Sequence, residues 1–230
     1  MMESGQTRSP VSQRRRDILD ASLRCFMKHG IDAATIEQIR EASGASSGSI
    51  YHHFGSKLAI AIALYVEGME FLAESFQEAM AAHQTFPEGI RALLCRYFDW
   101  VEANRDWALY LLRVATADLT PEGACAIDEI NRRTRDDLAL WLKPYVDRGE
   151  VVSLPADLYS SLVFGASTHY VRHWLVGRLK LDLTSAAEHL AEATCRALLT
   201  SSIERVPRSL APTGSKSESG RRRVGKGARK

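Results

Sequence analysis

The sequence predicts an all-α protein: an N-terminal helix-turn-helix module followed by a larger helical body. Three observations carry this. Apolar residues recur at spacings of three and four along most of the 230 residues, the period of helices that bury one face. No stretch of period-two alternation is long enough to build a sheet. The stretch "SGASSGSIYHHFGSK", residues 43–57, places three glycines and five serines between such helices, and these residue types begin and end helices rather than continue them.

The elements follow in order. Residues 1–12, "MMESGQTRSPVS", are small and polar and are expected to form a flexible arm. From Gln13, the residues Ile18, Leu19, Ser22, Leu23 and Phe26 mark an amphipathic helix that Gly30 stops. Thr35 and Gln38 stand three apart, the capping-box spacing, at the head of a second helix closed by Gly44. Ser46 opens a third short helix that ends at Gly55, and Ser56 caps a fourth running toward Met69. Two short helices joined by a tight glycine-containing turn, with Ile36, Ile39 and Ile50 to pack them, make a helix-turn-helix. Its second helix is shaped to enter a DNA major groove while its first crosses the backbone. From Phe71 to Ser202 every segment is helical in period, with breaks at Thr85–Pro87, Leu119–Pro121 and Ser153–Pro155, where each proline opens the next helix. Residues 13–58 are therefore the DNA-binding module and 59–204 the body. Residues 205–230, rich in Pro, Ser, Gly and basic side chains, cannot bury a core and are expected to be disordered.

Composition bounds the function. An apolar content of 45% with 25% charged residues is that of a water-soluble globular chain. Its longest apolar runs fall short of the roughly 20 residues that a membrane span needs. No apolar run follows the early arginines as in a secretory signal, so a cytoplasmic location is expected. The four cysteines are scattered, without the C-x-x-C pairing of metal or redox motifs. The net charge of +2 conceals a polarity: residues 1–58 carry +2, residues 59–204 carry −8, and residues 205–230 carry +8. A polyanion is drawn to the two ends and repelled by the middle.

Residues 14–66 resemble the DNA-binding domain of the TetR family of transcriptional regulators. The resemblance is carried by "RRDILDASLRCFMKHG", by "ATIEQI", and by the Gly-Ser-Ile-Tyr-His-His-Phe core of "SGASSGSIYHHFGSK". It implies an all-helical regulatory body whose last two long helices pair with a second subunit, and a DNA-binding homodimer. Two positions depart from the family pattern: Arg40 stands where a small residue is usual, and Leu58 where an acidic one commonly follows the lysine. The long stem of Arg40 is expected to lie along the surface with its head in water.

Each candidate DNA contact has its own chemistry. Thr35, as a cap, presents a hydroxyl and helix-start N–H groups to a phosphate. Ser46, Ser47 and Ser49 open the recognition helix, whose first turn reaches base edges, and Gly48 permits close backbone approach or merely eases packing. If Ile50 and Phe54 share the inward face, Tyr51 and His52 point outward. Lys57 stands at a helix N-terminus, where its charge opposes the dipole unless a phosphate lies beside it. Adjacent His52 and His53 diverge by about 100° and do not suit a shared metal. The recognition helix holds no Arg or Lys, so arginine–guanine readout is unavailable from it, and serine contacts and DNA shape are left to carry specificity. Arg14, Arg15 and Arg16 are candidates for backbone or minor-groove affinity. The basic tail either adds salt-sensitive attraction or only keeps the chain soluble.

In the body, the effector-pocket candidates are the aromatic residues Trp100, Trp107, Tyr110, Trp141 and Phe164 with Thr168, His169 and Tyr170, against the plain alternative that these aromatics are core. His169 and His173 lie four apart on one helix face, but no Glu stands between them as in zinc hydrolases. No cofactor and no metal are expected. Leu158, Leu162, Gly165, Ala187, Leu190, Ala191, Thr194 and Leu198 suit a four-helix bundle across a two-fold axis. Together these readings indicate a ligand-responsive repressor that binds a palindromic operator as a dimer. An activator of the same fold, a helical enzyme and a dimer that does not bind DNA are the alternatives, and no catalytic constellation stands out to support an enzyme.

Overall fold

The computed structural model describes residues 10–114 and 121–202; the expected arm up to residue 9 and the basic tail lie outside the described residues. The helices in chain order are α1 (Pro10–His29), α2 (Ile36–Ser43), α3 (Ser47–Phe54), α4 (Lys57–Ala81), α5 (Phe86–Ala103), α6 (Arg105–Val114), α7 (Pro121–Asp147), α8 (Ala156–Leu175) and α9 (Leu183–Leu198). Two boundaries differ from expectation. Helix α1 begins at Pro10 rather than Gln13, because proline is at home in a first helical turn. Helix α4 does not break near Met69 but runs 25 residues, since "EGMEFLAESF" continues the helical period and its only glycine, Gly68, is buried against a neighbour.

Helices α1 to α3 pack around Ile18, Leu19, Phe26, Ile39 and Ile50, each no more than 2% exposed. Burying each aliphatic side chain of that set contributes roughly 1.5–3 kcal/mol, which lets two eight-residue helices persist that would be marginal alone. Gly44 closes α2 at φ +63°, the left-handed conformation that lets the chain reverse into α3 within three residues.

The body is wound around α4. The Tyr110 hydroxyl donates to the Ala61 carbonyl at 2.7 Å and the Trp107 indole N–H to the Leu64 carbonyl at 3.1 Å, which fastens α6 to α4. Tyr110 also stacks on Phe26 of α1, with ring centroids 6.2 Å apart, so this aromatic joins the N-terminal module to the body. Helix α9 lays Ala187, Ala191, Thr194 and Leu198 into its own chain's interior. These four are therefore not free to face a second subunit, contrary to the sequence expectation. Leu158 and Leu162 of α8 are exposed, at 48% and 39%. A single antiparallel bridge, Val151 to Leu199, is the only β-pairing among the described residues.

A Cβ added at Gly68 would lie 2.6 Å from Trp107 Nε1 and 3.2 Å from Leu111 Cδ2. Gly68→Ala is expected to destabilise the fold by about 1–3 kcal/mol, in spite of the roughly 1 kcal/mol gain in helix propensity. Thermal melting of the variant checks this; an unchanged or higher midpoint would show that Trp107 yields freely.

Candidate nucleic-acid interface and ligand cavity

The N-terminal interface is assembled by caps. Thr35 Oγ1 accepts the Gln38 N–H at 3.2 Å while the Thr35 N–H donates to Gln38 Oε1 at 2.9 Å. In this reciprocal box the exposed Thr35 hydroxyl serves as the acceptor. Ser46 caps α3 by accepting the Ser49 N–H at 3.1 Å. Ser46 and Gly48 are exposed, and Ser47 and Ser49 are half-buried. A Cβ at Gly48 would meet nothing nearer than Ser46 Oγ at 4.0 Å, so packing within the chain does not require glycine there. Ile50 is buried and Phe54 partly so, which turns Tyr51, at 53%, and His52 outward.

Two cations have structural tasks. Lys57 Nζ donates to the carbonyls of Asp32 and Ala34, both at 2.7 Å, and so anchors the loop between α1 and α2 onto the start of α4. An ammonium has three protons; two are engaged here. Arg15 was expected only to serve DNA affinity. It forms an ion pair with Glu67 of α4 and lies over the Phe54 ring, 5.0 Å from its centroid. Only the tertiary structure brings these three residues, from three helices, together. Arg40 behaves as expected: its Nε donates to Glu37 at 2.9 Å on the surface of α2, and this partner holds the Glu37 carboxyl below its ordinary value.

The body carries a cavity of about 810 Å³, open to solvent on one side, lined from α4 by Met69, Leu72 and Phe76, from α5 by Tyr97, from α7 by Asn131, Thr134 and Arg135, and from α8 by a face running from Ser160 to His173. Of the sequence candidates, Phe164, Thr168 and His169 line it. The other five do not. Trp100, Trp107 and Tyr110 lie where α5 and α6 meet α4, with Trp100 and Trp107 rings 6.5 Å apart. Trp141 packs on Phe86 and Tyr145, against Gly89. The Tyr170 hydroxyl donates to the Leu181 carbonyl at 2.8 Å and holds the α8–α9 loop. For these residues the plain alternative holds: large aromatics fill seams between helices.

Sequence reading did not select Arg172, Arg135 or Tyr97 for the cavity. A signal existed for the first: Ser161, Phe164, Gly165, Thr168, His169, Arg172 and His173 recur at spacings of one, three and four, which puts them on one helix face. Tyr97 carried no such mark. Burial pushes its hydroxyl from 10.0 up to about 12, with Thr168 as its polar neighbour. His169 and His173 rings stand 4.6 Å apart, and no cluster of three metal-binding side chains occurs among the described residues. No helix among them is long and apolar enough to cross a membrane.

An outward-facing helix-turn-helix set on a helical body with an open cleft defines the class: an all-α helix-turn-helix protein. Residues 18–64, which span the helix-turn-helix, match the family model described as bacterial regulatory proteins, tetR family. The chain is 42% identical over 69 residues to the HTH-type transcriptional repressor AcnR of Corynebacterium efficiens, covering 30% of this chain and 36% of that one. It thus spans about a third of that relative's length. It is 24% identical over 179 residues to the fatty acid metabolism regulator protein of Bacillus subtilis, covering 76% and 90%. The solved structure of FadR from Bacillus subtilis in complex with stearoyl-CoA superposes with a TM-score of 0.71 at 22% identity, covering 78% of this chain and 97% of that one. At that identity the likeness concerns the fold.

The raised Tyr97 value has a consequence in alkali. Below pH 10.0 the hydroxyl is neutral in both states and its stabilising contribution is complete. Between 10.0 and about 12 the unfolded chain releases the proton while the folded chain retains it, so stability falls as pH rises. Tyr65 and Tyr110 are shifted in the same direction by burial. Melting temperature is expected to decline above pH 10.0, and less steeply in Tyr97→Phe; equal slopes would contradict the assignment.

Proposed function

We propose that the protein is a transcriptional repressor that binds a palindromic operator as a homodimer and releases it when a small molecule occupies the cavity. The observation that carries this reading is the reach of α4. Its first residue, Lys57, holds the loop that leads into α2, its Glu67 meets Arg15 beside the recognition helix, and its Met69 and Leu72 line the cavity. A ligand that favours one placement of α4 thereby favours one placement of α3, and it shifts operator affinity only by its differential affinity for the two arrangements.

Thr35, Ser46, Ser47, Gly48, Ser49, Tyr51, His52 and Lys57 form the proposed DNA surface. Thr35 and Ser46 cap α2 and α3, Ser47, Gly48, Ser49, Tyr51 and His52 lie within α3, and most of the eight are exposed. The exposed Leu158, Leu162 and Val176 of the α8 segment support dimerisation through that helix. The two α3 helices of such a dimer read half-sites one turn of DNA apart, about 34–36 Å, or farther. Repression rather than activation is supported by the names of AcnR and of the other transcriptional repressors among the similar proteins.

Selection of bound fragments from random DNA, followed by gel retardation at two salt concentrations, tests the reading. An enriched palindrome and a negative salt slope are expected; no retardation at low salt sinks it. Lys57→Ala is expected to weaken binding on all sequences alike and to reduce the salt slope by about 1. Ser49→Ala is expected to change the ranking among operator variants, and a uniform loss on every sequence would remove its base-reading role.

A further inference from the structure

We propose that the ligand of the cavity is an amphipathic anion, an apolar chain with an acidic head, and that Arg172 receives the head. This deepens the effector reading above and rests on it for its regulatory meaning. The lining is sorted by polarity. Leu72, Phe76 and Tyr97 are buried at 4%, 5% and 9%. Phe164 stacks on Phe76 with centroids 5.3 Å apart and meets Tyr97 edge-on at 6.3 Å, so three rings form one apolar wall. The exposed lining residues include Ser161, His169 and Arg172.

The charge of the lining is of one sign. Its ionised residues are Arg135 and Arg172, with no Asp or Glu, although residues 59–204 as a whole carry −8. Arg135 is already engaged with Asp157 at 3.3 Å. Arg172 has no ion-pair partner among the described residues. A cationic ligand is repelled by this pair, and a neutral one gains no charge-assisted contact from Arg172. An oxyanion accepts its forked N–H donors in bidentate geometry. A carboxylate and a phosphate share that chemistry. The volume of about 810 Å³ lies in the usual range for sites that enclose a small molecule.

Displacement of fluorescent cis-parinaric acid from the full chain tests the proposal, with hexadecanoate, hexadecanoyl-CoA, hexadecanol and hexadecyltrimethylammonium as competitors. At least one of the two anions is expected to bind about tenfold or more tightly than the alcohol and the ammonium. Tighter binding of the free acid assigns the carboxylate to Arg172, and tighter binding of the thioester assigns phosphate. Arg172→Ala is expected to weaken the preferred anion about tenfold while leaving hexadecanol unchanged, with Arg172→Lys between them. Melting curves verify that the Arg172 variants fold. Leu72→Trp is expected to move the chain-length preference toward dodecanoate while the anion preference persists. Equal or tighter binding of the alcohol or ammonium, no binding of parinarate, or an Arg172→Ala variant with undiminished anion affinity overturns the proposal. A protein that retards operator DNA but takes none of the anions refutes this inference alone. One that takes them but never binds DNA refutes the repressor reading alone.

Discussion

Helix α4 is one unbroken hydrogen-bonded rod from Lys57 to Ala81, and the rest of the structure is arranged by what it touches. Such a rod transmits displacement because its peptide hydrogen bonds fix each residue to the fourth before it. At its start Ile60, Ala61 and Leu64 belong to the buried core, and Lys57 ties down the loop ahead of α2. In the middle, Gly68 admits the Trp107 indole to a distance no side chain at that position would allow. Two helical turns beyond Gly68, Phe76 forms the cavity wall. The helix-turn-helix and the cavity wall thus share one helix.

Arg15 shows how α4 meets α3. Its guanidinium faces the Glu67 carboxylate on α4 and the Phe54 ring at the end of α3. As a partly exposed ion pair it adds little stability, of order 0–1 kcal/mol. Its consequence is geometric, because it connects α1, α3 and α4 at one point. The Tyr110–Phe26 stack joins α1 to α6. Aromatics that looked suited to holding a ligand are instead employed in holding two parts of the chain together.

Charge is distributed to match. The acidic body and the basic N-terminal module differ in sign, which orients a polyanion toward the helix-turn-helix before any contact is made. Within that acidic body the cavity carries the opposite sign, from Arg135 and Arg172.

The sequence by itself determined the helical class, the helix-turn-helix and its caps. Thr35, Gln38, Ser46 and Gly44 act within a few residues of themselves, so their spacing is their structure. It also marked the α8 face, because a period of three and four is visible in one dimension. Only the tertiary structure decided which aromatics line a cavity and which fill a seam, and which face of α9 is spent inside its own chain. It also decided that Lys57 holds a loop 23–25 residues earlier and that Arg15 reaches Glu67 across 52 residues. The physical reason is that a hydrophobic face specifies only that it must be buried. What it is buried against depends on how helices distant in sequence cross, and no local pattern records that crossing.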